Sequence, residues 1–99
     1  MLIVGGTFAV DPGQREEFLA SRHEMMRNSR AEPGCLEYTF SADPIDSARV
    51  VLFERWESQE VLDAHLSAQR AGAQSARTGV VPKAVSITIY DVSAARPLA

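Results

Sequence analysis

The sequence predicts an α+β domain in the order β-α-β-β-α-β, an antiparallel sheet with two helices on one face. Four apolar runs of strand length lie at about residues 2–10, 35–41, 49–56 and 84–92. Two segments of helical period, about 14–31 and 59–70, follow the first and third of them. Turn residues mark three of the junctions: Asp11-Pro12-Gly13, Glu32-Pro33-Gly34 and Asp43-Pro44. This order is the split βαβ arrangement. A chain of 99 residues has room for one small core, here a domain over 1–92 with a loose tail at 93–99.

The first strand closes at Pro12, which cannot continue a ladder. In the helix that follows, Phe18, Leu19, Met25 and Met26 share one arc at 100° per residue. Glu16 and Glu17 open it and Arg27 and Arg30 close it, as the helix dipole favours. Pro33 disfavours helical geometry at Glu32 and ends it. The second strand alternates Leu36, Tyr38 and Phe40 with Glu37, Thr39 and Ser41. The third, Arg49 to Trp56, has Val50 and Leu52 on one face and Val51 and Phe53 on the other, with Glu54 and Arg55 read as edge or interface charges. Ser58 is a good N-cap for the second helix. The last strand alternates Val85, Ile87 and Ile89 with Ser86, Thr88 and Tyr90. Strands 1 and 3 are apolar on both faces, so both faces are covered. Two helices cover only one, and a face-to-face homodimer is the simplest cover for the other.

Composition narrows the function. Ten Lys and Arg stand against 13 Asp and Glu, a formal charge of -3, which leaves no general cationic surface for nucleic acid. The third strand also lacks the aromatic motif with which RNA-recognition domains of this strand order stack bases. The single cysteine, Cys35, excludes an internal disulfide and fits a reducing compartment. No ligand spacing suggests a metal. The apolar N-terminus has no basic head and is too short to span a bilayer, so it reads as a strand rather than a signal peptide, in a cytoplasmic protein without membrane contact.

Two polar residues sit where a plain core has none. Arg22 falls inside the apolar arc of the first helix, and His65 lies at the middle of the arc Val61, Leu62 and Ala68 in the second. Each has a bland reading, a snorkelling arginine and a hydrogen-bonded core histidine. The functional reading makes His65 a general base and Arg22 an anion contact. Small residues beyond His65 (Ala68, Gly72, Ala73, Ala76) leave room for a ligand or allow close packing. Trp56 is either a capped edge hydrophobe or a pocket wall, with Met25 and Met26 as adaptable apolar neighbours.

The stretch from Arg30 to Tyr38 (RAEPGCLEY), then Asp43-Pro44, the Phe53 to Ser58 run FERWES and the Leu62 to Leu66 run LDAHL resemble the antibiotic biosynthesis monooxygenase domain family. The turn at Asp11 and the run Glu17 to Leu19 match as well, and the resemblance covers about residues 2–92. It implies a ferredoxin-like subunit that pairs into a dimeric α+β barrel, with a small-molecule site between sheet and helices. Similar members include cofactor-independent oxygenases of quinols and polyketide anthrones, haem-degrading proteins and an isomerase branch. Trp56 matches the pocket tryptophan of the anthrone oxygenases, and Arg77, on a loose alignment, their arginine. Leu52 and Leu62 stand where those enzymes have asparagine and tyrosine. His65 matches the histidine of the AHL motif in quinol-monooxygenase-like members. Gly6-Thr7 and Ser75 replace the polar residues of the haem branch and disfavour haem.

These features together predict a cofactor-independent monooxygenase that oxidises a quinol or a phenolic or anthrone-type compound with O2 and uses no metal. His65 and Trp56 are the expected catalytic residues, with Arg22, Met25, Met26, Leu62 and Arg77 against the substrate. The alternatives are an isomerase, in which His65 shuttles a proton and Arg22 holds a phosphate or carboxylate, and a non-catalytic dimeric ligand-binding or accessory protein.

Overall fold

The computed structural model describes residues 1–72 and 79–99. Its strands are β1 (Leu2–Ala9), β2 (Cys35–Ala42), β3 (Arg49–Trp56) and β4 (Ala84–Asp91), within a residue or two of the expected runs. They form one antiparallel sheet in the order β2-β3-β1-β4. The helices are α1 (Arg15–Ser21), α2 (His23–Arg30) and α3 (Gln59–Gly72).

The first predicted helix is therefore two, broken at Arg22. The Ser21 hydroxyl donates to the Phe18 carbonyl at 2.6 Å, the acceptor that an unbroken helix would offer to the Arg22 N–H. That N–H turns instead to Leu19 O at 3.0 Å, and α2 restarts with Met26 N–H donating to Arg22 O at 2.9 Å. A second departure lies in β2. Cys35 pairs with Trp56 and Glu37 with Arg55, so Leu36 is the extra residue of a bulge and is exposed rather than sharing a face with Tyr38 and Phe40.

The register puts Leu2, Val4 and Phe8 on one face with Val50, Leu52 and Trp56 of β3 and Tyr38 and Phe40 of β2. Phe18 and Leu62 close over this face and complete the core, a set of tilted and edge-on rings with centroids 5.5–6.4 Å apart. Two arginines tie the helix layer down. Arg15 donates to the carbonyls of Asp43 and Asp46, and Arg30 to Tyr38 O and Thr39 Oγ1. The opposite face carries Ile3, Val51, Phe53 and Tyr90, of which Phe53 and Tyr90 are exposed in the single chain. On the helix side of β4, Ile87 and Ile89 are about half exposed, and both line a cavity.

Candidate functional site

The site is built outward from the start of α3. Ser58 Oγ accepts the Val61 N–H at 3.3 Å, as its N-cap position predicts. With the helix phase set there, Leu62 and His65 both turn toward the sheet, and His65 is only 2% exposed. A buried imidazole needs a partner. Its Nδ1 lies 2.7 Å from Glu32 Oε2. An ionised carboxylate only accepts, so Nδ1–H is the donor at this contact, and in the neutral tautomer that makes it the lone pair lies on Nε2. Glu32 is set by the end of α2, where its N–H donates to Ser29 O at 3.0 Å and its carbonyl accepts from Cys35 N at 3.1 Å.

Trp56 is fully buried behind this pair, its ring 4.4 Å from the imidazole. Its indole N–H donates to Glu54 Oε1 at 2.9 Å. Tyr38 lies 5.4 Å from the imidazole, and its hydroxyl accepts from Gln69 Nε2 at 3.2 Å. In front of these groups opens a cavity of about 940 Å³. Its apolar wall includes Val4, Phe8, Phe40, Leu52, Leu62 and Ile87, and its polar groups include Arg22, Glu32, Tyr38, Glu54, His65 and Gln69. Among the described residues no group of three or more His, Cys, Asp or Glu gathers at metal-binding distance.

The structure brings together His65, Arg22, Met25 and Leu62 on this cavity. Ala68 and Gly72 line it too, and Ala73, Ala76 and Arg77 fall outside the described residues. Trp56, expected as a catalytic residue and pocket wall, does not line the cavity and packs behind His65. Met26 turns to the sheet, its sulfur accepting the Phe40 N–H at 3.4 Å. Glu54 is a correction. Read as an edge charge, it is buried on the cavity face, and its shared parity with Val50, Leu52 and Trp56 was the available signal. Glu32, expected only to end a helix, is the partner of His65.

Burial raises the Glu54 carboxyl above its ordinary value, against the lowering effect of the Trp56 N–H. Burial likewise raises the Tyr38 hydroxyl and lowers the Arg22 guanidinium. The Cys35 thiol is also raised, first by burial and then by Glu32 and Glu54, which keeps it protonated and unreactive. The raised Glu54 value has a consequence for stability. A carboxyl whose folded value lies above its unfolded one contributes stability at low pH that is lost as pH rises through the folded value. Glu54→Gln keeps an acceptor for the Trp56 N–H and removes the charge. Its thermal midpoint should exceed that of the wild type at pH 7–8 and converge with it near pH 4 (roughly the unfolded Glu value). Equal midpoints at both pH values would show that the buried charge has no cost.

Three comparisons relate the chain to known proteins. A family model described as antibiotic biosynthesis monooxygenase matches residues 1–76. An uncharacterized protein of Synechocystis is 36% identical over 64 residues, which are 65% of this chain and 44% of that protein's own length. The putative monooxygenase YcnE of Bacillus subtilis is 28% identical over 65 residues, 66% of this chain and 68% of its own. A crystal structure of a putative antibiotic biosynthesis monooxygenase from Deinococcus radiodurans superposes with a TM-score of 0.79 at 19% identity, covering 100% of this chain and 99% of that one. At that identity the likeness establishes the fold. No helix among the described residues is long and apolar enough to cross a membrane.

Proposed function

The chain belongs to the antibiotic biosynthesis monooxygenase family, and on that premise we propose that it inserts one oxygen atom of O2 into an electron-rich phenol or quinol held beneath the helices. The observation that carries this reading is the buried His65 imidazole held by the half-buried Glu32 carboxylate at the edge of a largely apolar cavity. His65 Nε2 takes a phenolic proton, and Glu32 stabilises the imidazolium that results. The phenolate passes one electron to O2, and the two radicals combine into a C–O bond. The proton on His65 returns as the O–O bond breaks. One oxygen stays on the ring and the other leaves as water, so that a hydroquinone and O2 give a hydroxyquinone and water. All four electrons come from the substrate, and the reading requires no cofactor.

The protein contributes position and dryness. Met25, Leu62 and Phe40 present apolar surface to the ring and exclude water from the anion. Trp56 packs against His65 and holds its plane. The same reading makes the chain a homodimer, with a second copy over the open sheet face that bears Phe53 and Tyr90. Sedimentation should therefore give twice the chain mass, and a monomer at micromolar concentration would remove the dimer from the proposal.

The activity is tested by oxygen uptake on a panel of hydroquinones and anthrones, with 18O2 labelling of the product. One labelled atom per product molecule is the expected result. Conversion under strict anaerobiosis to an isomer of the substrate would replace the oxygenase with a proton-shuttling isomerase, and tight binding without any turnover would leave only a ligand carrier.

A further inference from the structure

Arg22 is the one cationic side chain in the cavity wall that the proposed chemistry leaves unused, half-buried as a whole with its Nε covered. It stands at the break between α1 and α2, where its chain turns inward over the aromatic core. Its guanidinium carbon lies 4.7 Å from the Phe18 ring centroid and 5.9 Å from that of Phe40. Ring faces attract the charge but accept no N–H bond of ordinary strength. The Arg22 Nε is buried and has no hydrogen-bond partner, the only such buried side-chain N or O among the described residues. The carboxylates on the same cavity are engaged elsewhere, Glu32 with His65 and Glu54 with the Trp56 indole, while Glu24 is exposed. Buried donors are nearly always satisfied, and a buried charge is nearly always paired. Snorkelling can keep the Nη atoms in water, but the Nε has neither water nor a protein acceptor.

We infer that Arg22 pairs with an anionic substituent of the substrate, so that the compound taken into this cavity is a phenolic or quinol ring that also carries a carboxylate. The inference rests on the reading of the cavity as the substrate site, and it deepens that reading by naming the substrate class. Arg22 lies by Phe40 and His65 by Tyr38, two residues apart on the same face of β2. An ion pair formed there desolvates both charges, and the planar guanidinium suits a carboxylate better than a lysine would.

Calorimetry under anaerobic conditions tests this without requiring turnover. The probes are 4-hydroxybenzoate and its neutral isostere 4-hydroxybenzamide. The wild type should bind the acid about ten- to a hundredfold more tightly than the amide, the range of a charge-assisted hydrogen bond. Arg22→Met should abolish that preference, and His65→Gln should keep it. Equal affinity for the two probes, a preference that survives Arg22→Met, or binding of neither probe would overturn the inference. If Arg22→Met does not fold, Arg22→Gln serves the same comparison. Oxygen uptake on neutral quinols is read separately, so a failed oxygenase with an intact acid preference, or the reverse, identifies which statement is wrong.

Discussion

Replacing His65 by glutamine is expected to lower oxygen consumption by about 10²–10⁴-fold, the usual contribution of a positioned general base, while the protein stays folded. The reasoning is local. Glutamine can still donate an amide N–H toward Glu32, so the carboxylate is not left alone, but it offers no group that accepts a phenolic proton near neutral pH. The loss should fall on kcat, because the imidazole does its work after the substrate is bound. Glu32→Gln gives a second reading of the same pair. It keeps an acceptor for Nδ1–H at the 2.7 Å contact but removes the charge that stabilises the imidazolium, and its loss should be smaller than that of His65→Gln. Stopped oxygen uptake in Glu32→Gln with full activity in His65→Gln would invert these roles. Unchanged rates in both variants would remove the pair from the chemistry.

How far such residues can be read in advance depends on the range of the contacts that place them. The inward position of His65 follows from Ser58 and the apolar residues around it, all within one helix, and the periodicity carries it. Its pairing with Glu32 spans 33 residues across a turn, two strands and a helix start, and no local pattern encodes it. Glu54 lies between these cases. Strand parity placed it inward, but its charge suggested an edge, and the Trp56 N–H that makes burial tolerable belongs to the same strand two residues on. The break at Arg22 was hidden because it turns on one hydroxyl competing for one carbonyl, beneath an apolar arc that runs on unbroken. The bulge at Leu36 was hidden in the same way, since one extra residue leaves the alternation intact in sequence and shifts it in space.

Gly34→Ala should be among the most damaging single changes, and its reason links the fold to the site. Gly34 has φ of 84°, and a β-carbon there would lie 2.6 Å from Val61 Cγ1 and 2.7 Å from Cγ2. The left-handed backbone costs an alanine about 1–2 kcal/mol, and forcing extra volume into a packed contact costs a further ~1–3 kcal/mol. A loss of roughly 2–5 kcal/mol corresponds to a fall in Tm of roughly 8–40 °C in a domain of this size. Val61 is one helical turn before His65, on the same side of α3. The bare glycine lets the turn between α2 and β2 come close to Val61, and that approach carries Glu32, two residues earlier, up to the imidazole. Activity per folded molecule should therefore fall along with stability. Adding Val61→Ala removes both Cγ atoms and should recover the packing part of the loss, a coupling of about 0.5–3 kcal/mol, and with it the activity, while the cost of the left-handed backbone stays. Thermal unfolding of the two single variants and the double variant measures that coupling. A strictly additive cycle would mean that the turn yields freely at this contact, and that the closeness of Gly34 to α3 is not what seats Glu32 on His65.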